Sequence, residues 1–271
     1  MSIELKRTGN DVQVFVDGNL FTTCVNSEEY KSPFMSPVLS KDGTNFTRPD
    51  LHHREHPHQR SVFIGIGDVN GYDFWNEHGK PLGLIRAKKV ETSGGGEKAA
   101  VSLSAVWQGR RGKRFLDEER VYTFSKPGDK CVRVDIFLKL TASCTGIKFG
   151  KTKEAGPLGI RVADEICADN GGSFVNSEGG EKEDGCWGKA ARWCNYSGVV
   201  SGKKMGIAVF DDKDNERHPT AWHIRDYGLM APNNLFFKGG YSLKKGESVV
   251  YKFTLFFWED SFDAEKYSAL I

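Results

Sequence analysis

The sequence has almost no net charge and no long apolar run. Its 38 lysines and arginines nearly balance 36 aspartates and glutamates, which leaves a formal charge of +2. A chain so close to neutral is not expected to bind nucleic acid through its phosphates. No apolar run approaches the roughly 20 residues that a membrane-spanning helix needs. We therefore expect neither nucleic acid nor a membrane as a partner, and the oligomeric state stays open.

The cysteines and the N-terminus both bear on the compartment. None of the six cysteines has C-x-x-C spacing, which argues against a zinc knuckle or a thioredoxin-type centre. In a chain of 271 residues they are better explained as buried free thiols than as a disulfide framework. The opening stretch MSIELKRTGNDVQVFVDG alternates apolar and polar residues, so it predicts a first strand instead of a signal peptide. We expect a cytoplasmic protein.

Short β-type runs dominate the chain, whereas helical periodicity is scarce. In VRVDIFLKL, residues 132–140, every second residue is apolar, which is typical of a strand with one buried face. The tail DSFDAEKYSALI predicts a terminal helix with Asp260 or Ser261 as its N-cap. The chain thus predicts an all-β fold, a large antiparallel β-sandwich with a short C-terminal helix, as one domain over residues 1–271.

Four of the seven histidines lie in HHREHPHQR, residues 52–60. Pro57 fixes its own φ and favours an extended conformation for the residue before it. In an extended chain alternate side chains share a face. One face would then carry His52, Arg54, His56, His58 and Arg60. The same alternation continues into Val62, Ile64 and Ile66, so we expect the imidazoles at the rim or floor of a sheet-lined cleft.

Three roles fit this histidine stretch. His56 and His58, two residues apart, can bind a single divalent metal together with a third ligand from elsewhere, for which His223 is the candidate. Alternatively, a histidine near its ordinary pKa can act as a general acid or base. The third role is structural, with the imidazoles paired to carboxylates and Arg54 and Arg60 bridging. The clustering favours a functional role over the structural one.

The polar loop GDVNGYDFWNEHG follows the next strand-like run. It places Asp68, Asn70, Asp73 and Trp75 close together. The pattern D-x-N-x-x-D lacks the glycine and terminal glutamate of an EF-hand, which argues against a calcium loop of that kind. Carboxylates, amides and a tryptophan suit a sugar, which offers hydroxyl groups and C–H faces. The alternative is a turn anchored by a buried aromatic side chain.

Two further stretches offer acidic candidates. In LDEERVYTF strand alternation lets only one of Glu118 and Glu119 face inward, and we expect Glu118 at a solvated edge. In GKTKEAGPLGIRVADE the candidates are Glu154, as a positioned base, and Arg161.

The stretch RHPTAWHIRDYGLMAPN combines three chemistries on one predicted face. In an extended chain His223, Arg225 and Tyr227 point the same way. The guanidinium can clamp a carboxylate or polarise a carbonyl, and the phenol can donate or accept a proton. Such a surface favours function over structure.

Together these stretches resemble a known family. HREHPHQRSVFIGIGDVNGYDFWNE, KEAGPLGIRVAD, HPTAWHIRDYGLMAPN and the ending YSLKKGESVVYKFTLFFWEDSFDAEKYSAL are similar to the PmoA-like family DUF6807, from about Pro37 onward. The resemblance implies a galactose-mutarotase-like β-supersandwich and an association with sugar catabolism. The sequence offers nothing in favour of the methane oxygenase label that members often carry. Gln59 stands where many relatives have a further histidine after H-P-H.

The resemblance also implies roles for particular residues. Mutarotase-like enzymes use histidines and a glutamate around a sugar ring. Carried over by residue type and chain order, the acid and electrophile roles fall to His56, His58 and His223. The base would be Glu154 or Glu119.

Three functions compete. The leading hypothesis is a carbohydrate-active enzyme of lyase, hydrolase or epimerase type, for which a keto-sugar or keto-glycoside is attractive because a carbonyl acidifies the adjacent C–H. Its catalytic candidates are His56, His58, Glu154, His223 and Tyr227, and its substrate-binding candidates are Arg60, Asp68, Asn70, Asp73, Trp75, Glu119, Arg161 and Arg225. The second hypothesis is a non-catalytic, lectin-like sandwich. The third, a metal-dependent oxygenase, is disfavoured because the glutamate expected shortly after H-x-H is absent.

Overall fold

Alternating apolar residues form antiparallel strands along most of the chain. The computed structural model describes residues 2–49, 51, 55–79 and 81–271, with 55% strand and 6% helix. In chain order the strands are β1 Ile3–Thr8, β2 Asp11–Val16, β3 Asn19–Val25, β4 Phe34–Val38, β5 Val62–Ile66, β6 Gly83–Gly95, β7 Lys98–Gly109, β8 Arg114–Gly128, β9 Cys131–Thr141, β10 Ile147–Phe149, β11 Ala155–Arg161, β12 Ser173–Asn176, β13 Trp193–Val200, β14 Lys203–Asp211, β15 Trp222–Ile224, β16 Leu229–Pro232, β17 Tyr241–Leu243 and β18 Ser248–Glu259.

The strands form two large sheets and one small one. The first sheet has the order β1-β2-β3-β4-β5-β11-β16-β15, and the second has the order β12-β13-β14-β18-β9-β8-β7-β6. Strands β10 and β17 pair separately. The predicted all-β antiparallel fold is confirmed, whereas the finer galactose-mutarotase-like architecture and the single domain stay predictions.

The main hydrophobic core lies between the two large sheets. It joins residues of both, as where the Phe21 ring on β3 meets the Phe257 ring on β18 edge to face at 5.5 Å. The alternation predicted over residues 132–140 is confirmed, since Val134, Ile136 and Leu138 are buried in this core. Burial of this apolar surface is the main contribution to folding.

The opposite side of the first sheet, here the outer face, carries a second apolar cluster. Its members are Phe34, Phe63, Trp75, Leu229 and Ala231. On β5 the odd-numbered residues point this way, while Val62, Ile64 and Ile66 enter the main core. Gly159 of β11 lies under the Phe63 ring, where an added Cβ would come within 2.4 Å of a ring carbon. Glycine here lets the ring lie flat across the neighbouring strand.

Helices are short. They are α1 Lys182–Cys186, α2 Asn234–Phe237 and α3 Ala264–Ser268, with a 3-10 turn at Ala168–Asn170. The C-terminal helix is confirmed, but its N-cap is Asp263, whose carboxylate accepts from Lys266 N, because β18 runs on to Glu259. No helix in the described ranges is long and apolar enough to cross a bilayer.

The cysteines are free thiols, as predicted. Five of the six are buried, and Cys144 is exposed.

Candidate active site

The histidine stretch is a turn where the sequence predicted extended chain. His56 has φ of 52°, and Gln59 N donates to His56 O at 2.9 Å. Ser61 is also left-handed, with φ of 57°. These two reversals break the alternation, so residues 62, 64 and 66 face the core while the imidazoles lie elsewhere. The predicted shared face is wrong for this reason, and His52, His53 and Arg54 lie outside the described residues.

The turn is held by Arg48, which the sequence did not single out. Its guanidinium donates to the carbonyl oxygens of Glu55, His56 and Gln59 at 3.1, 2.9 and 3.2 Å. Arg48 is itself buried. Left-handed backbone at a residue with a side chain costs on the order of 1 kcal/mol or more. These charge-assisted bonds offset that cost and fix the turn.

The turn brings the histidine stretch to the stretch around Tyr227. The His56 imidazole stacks on the Tyr227 ring, with centroids 4.9 Å apart and planes 10° apart. His58 lies edge-on to His56 at 5.8 Å and faces Trp75 at 6.2 Å. Two segments more than 160 residues apart in sequence thus form one cluster on the outer face.

Arg161 and Gln59 complete the surroundings of the tyrosine. The Arg161 guanidinium carbon lies 4.6 Å from the centroid of the Tyr227 ring. Arg161 NH1 donates to Gln59 Oε1 at 3.0 Å, and Gln59 Nε2 lies 3.5 Å from the Tyr227 hydroxyl. Arg161 Nε is buried and has no hydrogen-bond partner among the described residues. The hydrogen-bonding capacity of this guanidinium is therefore not fully used.

Burial controls the protonation of this cluster. It lowers the pKa of His58 to about 3, with a further decrease from the charges of His56, Lys31 and Arg60. It also raises the pKa of Tyr227. At neutral pH the His58 imidazole is therefore uncharged and the Tyr227 phenol keeps its proton.

His223 lies on the outer face of β15, while Arg225 and Tyr227 follow in a turn and not in the extended segment that the sequence predicted. Its Nδ1 is 2.9 Å from Lys153 O, which can only accept, so Nδ1 carries the proton and Nε2 the lone pair. Burial lowers the pKa of His223 to about 4. Its imidazole is neutral at pH 7 and can accept a hydrogen bond or bind a metal at Nε2.

Arg225 and Glu154 border the same cluster. The strand ends at Ile224, yet the Arg225 guanidinium carbon still lies 5.7 Å from the Tyr227 ring. Arg225 Nε donates to Glu183 Oε2 at 3.0 Å. Glu154 is near enough that its charge contributes to the raised pKa of Tyr227, and its carboxylate is 3.9 Å from Lys153 Nζ.

Arg60 and Lys31 lie on the Trp75 side of the cluster. Arg60 NH1 pairs with Glu77 Oε1 at 2.7 Å and lies over the Tyr30 ring. Lys31 Nζ donates to the carbonyl oxygens of Asp73 and Asn76. Burial outweighs the nearby carboxylates and lowers the pKa of Lys31 to about 8. No motif in the sequence marks Lys31, because it reaches this loop from a segment some 40 residues upstream.

The polar residues of the 68–76 loop mostly serve the loop itself. Asp68 Oδ1 accepts from Gly71 N at 2.9 Å, and Asn70 bonds the backbone at Gly146 and Lys148. Asp73 Oδ1 accepts from Trp75 N at 2.7 Å. These bonds orient Trp75, which is buried against Phe63. The arrangement matches the alternative of a turn anchored by a buried aromatic side chain.

Glu119 lies away from the cluster, on the second sheet. Its carboxylate is exposed and pairs with Lys139 Nζ at 2.8 Å. Glu118 is the inward residue, buried with Arg120 at 2.6 Å, so the solvated edge expected for Glu118 is wrong. The even-numbered residues of β8 face inward because they continue the register of Tyr122. Neither carboxylate is placed to act with His56 or His58.

The predicted metal ligands do not form one group. Within the described ranges, no three histidine, cysteine, aspartate or glutamate side chains are placed to hold an ion. The turn directs His56 onto Tyr227, and His223 uses Nδ1 on a carbonyl. The set His56, His58 and His223 is therefore not assembled as predicted.

The fold and the site define a two-sheet antiparallel β-protein with a histidine–tyrosine–arginine cluster on one outer face. The model of a family of unknown function, DUF6807, matches residues 11–271, so the chain belongs to that family. No curated protein matches it. The PmoA-like label stays a prediction.

Two solved structures are similar to the chain over most of its length. One is a mutant of the heparan sulfate lyase HepC from Pedobacter heparinus, with a TM-score of 0.45 and 9% identity over 93% of this chain and 34% of that chain. The other is a TPR-domain containing protein from Parabacteroides distasonis, with a TM-score of 0.30 and 9% identity over 97% of this chain and 48% of that chain. The chain thus spans less than half of either, and at these TM-scores neither likeness bears on function.

Proposed function

We propose that this chain is a carbohydrate-active enzyme that transfers protons at a sugar ring through His56 and Tyr227. The observation that carries the proposal is the stacking of the His56 imidazole on Tyr227, with the Arg161 guanidinium 4.6 Å from the same ring. These contacts bring a group able to accept a proton, a group able to donate one and a cation into one cluster, which supports the proposal. These are the three groups needed to remove a proton from carbon and stabilise the resulting anion.

A sugar with a carbonyl beside the reacting carbon fits this set. In the proposed reaction His56 removes the proton next to the carbonyl, and Arg161 stabilises the negative charge that develops on the carbonyl oxygen. The Tyr227 phenol then gives its proton to the departing oxygen of the neighbouring C–O bond, which breaks as the new C=C bond forms. The reaction is thus an elimination of lyase type.

The other residues of the cluster bind and position the sugar. His58 is uncharged at neutral pH, so it can donate or accept a hydrogen bond to the sugar while His56 takes up the proton from carbon. Trp75 and Arg60 border the side of the cluster at His58, whereas Glu154, His223 and Arg225 border the side at Tyr227.

The test follows turnover by NMR. The chain is incubated with keto-glycosides and with the parent glycosides, and new sugar signals are recorded. His56→Asn removes the imidazole but keeps a residue that tolerates left-handed backbone, and Tyr227→Phe removes only the hydroxyl. Each is expected to lower turnover about 10²- to 10⁴-fold, the usual contribution of a positioned acid or base.

Glu119→Gln on the distant sheet is the matched control and is expected to leave turnover unchanged. Thermal midpoints close to wild type would show that the variants fold. Full turnover in folded His56→Asn would refute the assignment. Sugar binding without any new signal would instead support a lectin-like protein.

A further inference from the structure

A second aromatic group lies at the edge of the first sheet, beyond β15. Trp187 is 38% exposed, and it is the one aromatic side chain among the exposed large hydrophobic residues of the described ranges. Its ring lies 5.0 Å from Phe237 and 6.3 Å from Phe236, measured between centroids. These three residues are called the aromatic shelf. Exposed apolar groups of this kind mark ligand or partner sites more often than scattered single residues do.

The backbone holds the shelf in place. Trp187 N donates to Glu183 O at 2.8 Å, and Gly188 N donates to Trp222 O at 2.8 Å. Gly188 is left-handed with φ of 72°, and an added Cβ would lie 2.9 Å from the Phe237 ring. Glycine is therefore required here both by conformation and by space. The backbone that carries the exposed tryptophan is fixed before any ligand arrives, which lowers the entropy cost of binding.

One connection joins the shelf to His223. Asn233 caps α2, which carries Phe236 and Phe237, by accepting from Phe236 N at 2.9 Å. The same side chain donates through Nδ2 to Lys153 O at 2.9 Å. That carbonyl oxygen also accepts from His223 Nδ1. The Lys153 carbonyl oxygen thus accepts hydrogen bonds both from the residue that caps α2 and from His223, and so links the shelf to the histidine.

A second connection joins the shelf to Arg225. Glu183, whose backbone carbonyl holds Trp187, accepts through its carboxylate from Arg225 Nε at 3.0 Å and from Asp226 N at 3.2 Å. These hydrogen bonds tie the segment that carries Trp187 to the Tyr227 side of the candidate site.

The chemistry of the shelf favours a sugar as its occupant. The exposed Trp187 ring can pack against the C–H face of a pyranose, while Phe237 and Phe236 support it at interplanar angles of 86° and 59°. Lys151 Nζ, 5.9 Å from the Phe236 centroid, can donate to hydroxyl oxygens. We infer that the shelf is a second sugar subsite, which binds the neutral pyranose linked to the sugar that reacts at His56 and Tyr227. This inference rests on the proposed function, because it assigns that site a substrate of at least two rings.

The test compares affinities for one ring and two. Calorimetric titrations use glucose and glucose disaccharides that differ in linkage, with the wild-type chain, Trp187→Ala and the conservative Trp187→Phe. The matched control is Leu270→Ala, since Leu270 is equally exposed at 38% but lies in the C-terminal segment. Wild type and Leu270→Ala are expected to bind at least one disaccharide more tightly than glucose. Trp187→Ala is expected to weaken that disaccharide several-fold to about tenfold and to leave glucose unchanged, and Trp187→Phe to lie between.

Two results would overturn the inference. One is that no disaccharide binds more tightly than glucose to wild type. The other is that Trp187→Ala retains the full difference; if it also changes the oligomeric state in light scattering, the shelf is a contact between copies of the chain. Disaccharide binding at the shelf without new NMR signals would refute the enzymatic proposal and keep the subsite. If the chain turns over a disaccharide at the same rate with and without the Trp187 side chain, the enzymatic proposal is kept and the subsite is refuted.

Discussion

Two groups of polar side chains in this protein use nearly the same residue types and end in opposite states. On the second sheet Arg120 is enclosed by Glu118, Tyr122 and Trp107. Its Nε donates to the Glu118 carboxylate at 2.6 Å, its NH1 donates to the Tyr122 hydroxyl at 2.9 Å, and the Trp107 indole donates to the same carboxylate. On the outer face of the first sheet Arg161 also lies beside a tyrosine, but among the described residues its nearest carboxylate, Asp164, is 3.9 Å away.

The pKa values of the two arginines shift in opposite directions because of this difference. Burial opposes the charge of both. At Arg120 the Glu118 carboxylate and Tyr122 outweigh burial and raise the pKa, whereas at Arg161 burial prevails and lowers the pKa. The first group is internally neutralised and contributes to the fold. The second keeps a cation whose described neighbours neutralise it less, which agrees with the anion-stabilising role proposed for Arg161.

The largest effect is expected from removing the counter-charge of Arg120 in the buried group on the second sheet. Glu118→Gln leaves Arg120 buried without its counter-charge, so the free energy of unfolding should fall by about 3–5 kcal/mol. Urea denaturation measures this free energy. The neighbouring Glu119→Gln removes an exposed pair and should change the free energy by less than about 1 kcal/mol. Equal changes in the free energy of unfolding for Glu118→Gln and Glu119→Gln would show that Glu118 does not neutralise Arg120.

An intermediate effect is expected from the pH dependence of stability. His223 has a pKa of about 4 in the folded chain, below the ordinary 6.5, so the unfolded chain binds more protons between these values. Stability contributed by the neutral imidazole is present above pH 6.5 and is lost as the pH falls toward 4. At pH 5 the loss is roughly 2 kcal/mol, from 1.5 units at about 1.4 kcal/mol each.

His223→Gln should lessen this dependence by about that amount, because its amide can still donate to Lys153 O but does not titrate in this range. The part that His58 contributes over the same range, through its pKa of about 3, should stay. Thermal midpoints measured from pH 7.5 to pH 4.5 in both chains check it. His218→Gln, at a half-buried histidine paired with Asp211, controls for a general effect of losing an imidazole. An unchanged slope in His223→Gln would show that other groups cause the acid loss.

The smallest effect on stability is expected from Arg161→Met. The variant gives up a hydrogen bond to Gln59 and a contact with Tyr227, but it also removes a cation whose charge burial disfavours, so unfolding should change by no more than about 1 kcal/mol. Turnover should nevertheless fall by about 10²-fold or more, the usual cost of losing an anion-stabilising group. A loss of stability as large as that of Glu118→Gln would place Arg161 in the fold instead of the site.

The parts of the fold that depend on local alternation could be predicted from the sequence. The buried face of β9 and the turn at Asp17 and Gly18, both left-handed, follow from patterns within a few residues. Which of Glu118 and Glu119 faces inward could not be predicted, because it depends on the register of the whole of β8.

The site was predictable in composition but not in geometry. His56, His58, Arg161 and Tyr227 were candidates by residue type, and they come together. The turn that unites them depends on Arg48, which bonds carbonyl groups seven to eleven residues further along the chain. No periodic pattern encodes such a bond. Alternation therefore put the imidazoles on the wrong face, and Lys31 escaped notice altogether.

Arg48 holds its turn by carbonyl oxygens, which every type of amino acid possesses. The side chains at residues 58 and 59, where the backbone is not left-handed, can therefore be exchanged with little effect on the path of the main chain, whereas His56 has φ of 52° and Pro57 fixes its own φ. The turn therefore fixes the positions of these side chains but not their identity. New specificities on this scaffold could be sought by varying those few positions while Arg48 is kept.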